Sequence, residues 1–70
     1  MKAFSPTFRD KTIDITCSNL IQAGQLLPKE VSQYMATLAS YDDSTLAQVM
    51  VGSRLILDEY YALDAERRIN

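Results

Sequence analysis

The apolar positions of this chain fall into three helical runs with two interruptions. Ile13, Cys17, Leu20, Ile21, Gly24 and Leu27 recur at three- and four-residue spacing, which places them on one face of a first helix, about 12–26, capped by Asp10 or Thr12. A competing pattern overlaps its start: Thr12-Ile13-Asp14-Ile15-Thr16 alternates polar and β-branched residues as a short strand does. Ahead of it, residues 1–9 contain Phe4, Pro6 and Phe8 with no helical period, which reads as an irregular arm whose phenylalanines fold back on the body or clip onto a partner.

Pro28 suits a first helical position and not a helix interior, so a second helix, about 28–40, begins there with Glu30 favourably placed in its first turn. Val31, Tyr34, Met35, Leu38 and Tyr41 then form one apolar stripe, opposed by Lys29, Ser32, Gln33, Ala36 and Thr37. The segment Tyr41-Asp42-Asp43-Ser44-Thr45 is a turn, and Asp42, Asp43 or Ser44 can cap the last helix, about 44–68.

On a helical wheel that last helix gathers Leu46, Val49, Met50, Ile56, Leu57, Tyr60, Tyr61 and Leu63 on one arc around Ser53. Val51, Leu55 and Ala62 fall outside the arc, among Gln48, Asp58, Glu59 and Glu66. The pattern predicts an all-α domain of two or three helices, with the long helix packed antiparallel on the helix from Pro28 and flanked by the first. Gly52 and Ser53 are small residues inside this helix, and the glycine costs roughly 1 kcal/mol relative to alanine. Close packing of another helix at this point is the expected reason.

Size sharpens the picture. A chain of 70 residues buries only about 60% of its unfolded surface, so its core is marginal and wants a disulfide, a metal or association. Cys17 is the only cysteine and there is no histidine, which leaves association with a copy of itself or with another protein. The balance of 47% hydrophobic and 23% charged residues is that of a folded chain. One thiol fits a reducing compartment, and Pro6, Arg9 and Asp10 stand where a signal peptide needs an apolar run, so a cytoplasmic location is expected. No apolar stretch is long enough to span a membrane.

Candidate chemistry is sparse. Adjacent Asp42 and Asp43 before a helix read as caps, and Cys17 on an apolar face reads as a structural thiol. Neither glycine belongs to a phosphate-binding loop, and Asp42-Asp43-Ser44 lacks the spaced ligands of a calcium loop. Catalytic, cofactor and metal sites are therefore not expected. Three short helices resemble a helix-turn-helix in outline, but a net charge of −2 and the scarcity of bases, Lys29 and Arg54, oppose nucleic acid as the partner.

The expectation is a non-catalytic interaction module: a small regulator, adaptor or inhibitor, of the kind carried by phages and plasmids, that binds another protein and blocks or modulates it. That partner is itself a candidate DNA-binding protein, since an acidic surface complements a basic one. The partner surface is expected at Val51, Leu55, Glu59, Tyr61, Ala62, Glu66, Arg67 and Arg68, and a homodimer contact at Met50, Ser53, Leu57 and Tyr60. The alternatives are a helix-turn-helix regulator and a structural subunit of a larger assembly.

Overall fold

A computed structural model describes residues 3–69 and is all-helical over them. Its elements are α1 (Pro6–Gln22), a 3-10 turn (Pro28–Glu30) that runs into α2 (Val31–Ala39), and α3 (Asp43–Ile69).

α1 begins well before Thr12. Ser5 is extended and its Oγ accepts the Phe8 N–H at 3.1 Å, while Pro6 fills the first helical position, where no N–H is needed. The expected arm therefore shrinks to Ala3–Ser5, with Met1 and Lys2 outside the described residues. The strand-like run is helical because its threonines find partners within the helix: Thr12 Oγ1 donates to the Phe8 carbonyl and Thr16 Oγ1 to the Thr12 carbonyl, both at 2.8 Å.

α1 also stops early. Gly24, expected on the buried stripe, instead adopts φ +72° just past the helix. Its N–H donates to the Ile21 carbonyl at 3.0 Å and that of Gln25 to the Leu20 carbonyl at 2.8 Å, a Schellman arrangement that satisfies the helix's last carbonyls. Leu27 is extended before Pro28, and Glu30 Oε1 reaches back to accept the Leu27 N–H at 3.0 Å. Asp42 caps α3 by accepting the Thr45 N–H at 2.8 Å.

The core is small: Ile13, Cys17, Leu26, Leu38 and Leu46, with Leu20, Val31, Tyr34, Met35, Tyr41 and Val49 half-buried around it. α2 delivers the stripe read from its sequence. The helix pairing differs from the expectation, because α3 lies chiefly along α1 and not along the helix from Pro28. Contacts between them rise together in both helices, from Arg9 with Asp43 through Asn19 with Ser53 to Gln22 with Tyr61, so α1 and α3 run in the same direction. α2 returns against α1, with Asp10 and Asp14 beside Met35, Ala36 and Ala39.

The reason lies in a seam that the hydropathy pattern hides. Thr12, Thr16, Asn19 and Ala23 share one face of α1 at i, i+4, i+7 and i+11, and all are buried. Small residues let α3 approach, and their polar groups are satisfied locally. Ser53 Oγ donates to the Met50 carbonyl at 2.7 Å and accepts from Asn19 Nδ2 at 3.2 Å. Among the described residues no buried side-chain nitrogen or oxygen lacks a partner.

One side chain ties the three helices at a single end. Arg9 donates to Asp43 Oδ1 at 2.6 Å and to the carbonyls of Tyr41 at 2.7 Å and Ala39 at 3.3 Å. It thus joins α1 to the C-terminus of α2, where carbonyls want a cation, and to the first residue of α3, where an anion is favoured. Asp43 Oδ2 also accepts the Phe4 N–H at 2.8 Å, which pins the N-terminal segment.

The Phe4 amide and then Arg9 hold the Asp43 carboxyl below the ordinary range, and hydrogen bonds from Thr45 do the same for Asp42. Folded values below unfolded ones mean that this stability is fully present above the usual carboxylate pKa, near 4, and is lost as pH falls through the folded values. The thermal midpoint is therefore expected to be flat near neutrality and to decline below about pH 4, with a shallower decline in Asp43→Asn; equal slopes in the two proteins would show that Asp43 is not involved. Arg9→Lys is expected to lower the midpoint at neutral pH, because an ammonium cannot span three acceptors as a planar fork does.

Gly52 gives a second test. Close packing does occur at its neighbour Ser53, but a Cβ built at Gly52 meets nothing within 4 Å. Gly52→Ala is expected to stabilise the chain by about 0.5–1 kcal/mol in denaturant unfolding, and a loss of stability would reveal a contact at this position.

Candidate interaction surface

The fold leaves more surface than its mass requires. An accessible area of 5267 Å² compares with about 4400 Å² for a compact monomer of this mass. The radius of gyration is 13.7 Å against about 11 Å for a compact chain of this length. With extents of 47 × 29 × 16 Å, the molecule is elongated and flattened. Among the described residues seven hydrophobic ones are buried, while ten large ones stand exposed, so the outside of the molecule carries much of the apolar matter.

Seven of these ten gather in two places, while Phe8, Ile21 and Leu27 stand apart. The first is the groove between α1 and α3 on the side away from α2, lined by Ile15, Asn19, Met50, Val51, Arg54 and Leu55. Ile15, Val51 and Leu55 are 49%, 56% and 63% exposed. Val51 and Leu55 were read from the sequence as a second stripe, and the structure brings them together with Ile15, which that reading had left aside. Ile15 lies within the predicted helix, about 12–26, but off its Ile13–Cys17 stripe, so the periodicity gives no reason to single it out.

The second place is the far end of α3, where Ile56, Tyr60 and Leu63 flank Ala23 and Gln25 just beyond α1. Tyr61 is exposed on the other side of α3 and its hydroxyl donates to Gln22 Oε1 at 2.8 Å. Glu59, Ala62, Glu66, Arg67 and Arg68 are all exposed on these last turns, with Arg68 Nε paired to Asp64 at 3.1 Å. The eight expected partner residues therefore do not form one patch: Val51 and Leu55 line the groove, and the other six occupy the helix end.

Two of the four expected dimer residues are corrected. Ser53 and Leu57 are 2% and 3% exposed, buried inside the chain because α1 lies along α3, so neither is available to a second copy. Met50 is half-buried in the groove and Tyr60 is exposed at the helix end.

The paired carboxylates and the thiol have structural employment. Asp42 and Asp43 spend their lone pairs on the Thr45 and Phe4 amides and on Arg9. Burial first, and the nearby Asp14 charge second, push the Cys17 thiol above its ordinary pKa, the opposite of what an attacking thiolate needs. Among the described residues no three His, Cys, Asp or Glu side chains are grouped to hold a metal ion, and no helix is long and apolar enough to cross a membrane. What the surface offers is apolar area with charges set around it. Compared with known protein families, curated proteins and solved structures, the chain matches none.

Proposed function

We propose that this chain is a non-catalytic interaction module, a small regulator, adaptor or inhibitor that docks the end of α3 on a larger protein and blocks or modulates it. The observation that carries this reading is the position of Tyr60, Tyr61 and Leu63, 43%, 49% and 52% exposed on turns that reach beyond α1. Tyrosine combines a large apolar body with a polar tip and suits the centre of an interface. Glu59 and Glu66 give this end an acidic rim that fits a partner with a basic face, as a DNA-binding protein has.

The arrangement weighs against catalysis, since Asp42 acts as a cap, Asp43 as a clasp, and the thiol is buried. It also weighs against direct DNA binding. Arg9, Arg54 and Arg68 are each paired with a carboxylate. The other described cations, Lys11, Lys29 and Arg67, are spread over α1, the 3-10 turn and α3 and offer no stripe to a phosphate backbone.

The test is affinity capture from a host lysate with four immobilised proteins of equal helicity: wild type, Leu63→Asp, the combined Glu59→Lys and Glu66→Lys variant, and Gln33→Asp on the exposed side of α2. A partner retained by wild type and Gln33→Asp is expected to be lost with Leu63→Asp and weakened by combined Glu59→Lys and Glu66→Lys. Capture indifferent to all of these changes would sink the proposal.

A further inference from the structure

Asn19 and Ser53 lie buried where α1 meets α3, 6% and 2% exposed, with Asn19 Nδ2 donating to Ser53 Oγ at 3.2 Å. We infer that this pair is a register lock: it selects one position of α3 along α1, and with it the position of the projecting helix end, rather than adding stability.

The other buried polar side chains make no such demand. The hydroxyls of Thr12 and Thr16 donate to carbonyls of α1 itself, so they are satisfied wherever α3 stands. Ser53 Oγ donates to the Met50 carbonyl within α3 and keeps its oxygen free to accept. Asn19 differs, because its amide finds its acceptor on the other helix. Among the described residues this is the one hydrogen bond between buried side chains that crosses from helix to helix.

The Arg9–Asp43 clasp spans the same offset of 34 residues, so both ties hold one register, but they answer a slip differently. A displacement of α3 by one turn, about 5.4 Å, opens the clasp where its side chains are 23% and 32% exposed and water can replace the lost partners. The same displacement sets Asn19 level with Val49 and Met50, or with Ile56 and Leu57, all apolar, and strands a buried amide donor. A bond left unmade in this way costs roughly tenfold to a hundredfold in an equilibrium, whereas replacing both partners by apolar groups of the same shape is close to neutral. The pair therefore discriminates between registers more than it stabilises the correct one, as a buried asparagine does in coiled coils. Its effect reaches the surface. The bond from the Tyr61 hydroxyl to Gln22 Oε1 at 2.8 Å belongs to this register, and a slip carries Tyr60, Tyr61 and Leu63 a full turn along α1. Asn19 and Ser53 are thus positioning residues for that end.

The experiment is amide NMR with denaturant unfolding on the full chain as wild type, Thr16→Val, Ser53→Ala, and the double variant Asn19→Leu with Ser53→Ala. Wild type and Thr16→Val are expected to give a single set of backbone amide peaks and a nuclear Overhauser contact between the Tyr61 and Gln22 side chains. Ser53→Ala is expected to lower the folding equilibrium constant about tenfold, because the Asn19 amide loses its acceptor. The double variant is expected to be at least as stable as Ser53→Ala, yet to show doubled or broadened peaks along α3 and a weakened Tyr61–Gln22 contact. A double variant that keeps one sharp set of peaks overturns the inference, as does a wild type that shows more than one. A double variant less stable than Ser53→Ala, failure to fold included, overturns it too, since the pair would then serve stability alone.

Discussion

The guanidinium of Arg9 is the point on which the arrangement of the helices turns. It meets the end of α2 and the beginning of α3 at once, with the last carbonyls of one helix and the first carboxylate of the next as its acceptors. A cation at a helix C-terminus and an anion at a helix N-terminus are each favoured by the aligned peptide dipoles. Here the two preferences are met by one ion pair, and the tight turn at Tyr41 and Asp42 is held between them. With the starts of α1 and α3 fastened at the same end, the two helices have to run side by side in one direction, and α2 has to come back between those ends.

That constraint explains the unusual character of the main helix contact. Besides the apolar core, α1 buries a row of Thr12, Thr16, Asn19 and Ala23, and Asn19 joins it to α3 through Ser53. Two of these are threonines whose hydroxyls turn back to carbonyls four residues earlier in α1, so each enters the seam with its polarity already spent. The large apolar side chains of α1 are left to divide between the α2 side, where Ile13, Cys17 and Leu20 build the core, and the outer side, where Ile15 stands in the open.

Much of this was legible in the residues. α2 and α3 lie where the 3.6-residue period and the Pro28 and Asp42 signals put them, and the apolar stripe of α2 is the one that packs. α1 was legible at neither end. Its start is written in Ser5 and Pro6, a strong cap and a good first residue, but the β-branched alternation from Thr12 to Thr16 resembles a strand until the hydroxyl bonds are seen. Its end is written in Gly24, which fits a helix stripe by spacing and a helix stop by backbone freedom, and the second property won. The pairing of α1 with α3 was illegible because a buried row of Thr, Thr and Asn has the hydropathy of a solvent face. For the same reason Ser53 and Leu57 passed as candidate contacts for another molecule when their partner is the first helix of the same chain.

The clasp also bears on the order in which the chain assembles. Arg9 and Asp43 are 34 residues apart, and such a closure has a loop entropy to overcome. Yet the clasp needs only the first residue of α3 and none of its remaining length. During synthesis from the N-terminus, the α1/α2 pair can therefore be locked as soon as Asp43 is free to move, while most of the long helix is still to come. α3 then grows from an anchored first turn beside a face of α1 that is already in place, so its direction is biased by where it starts.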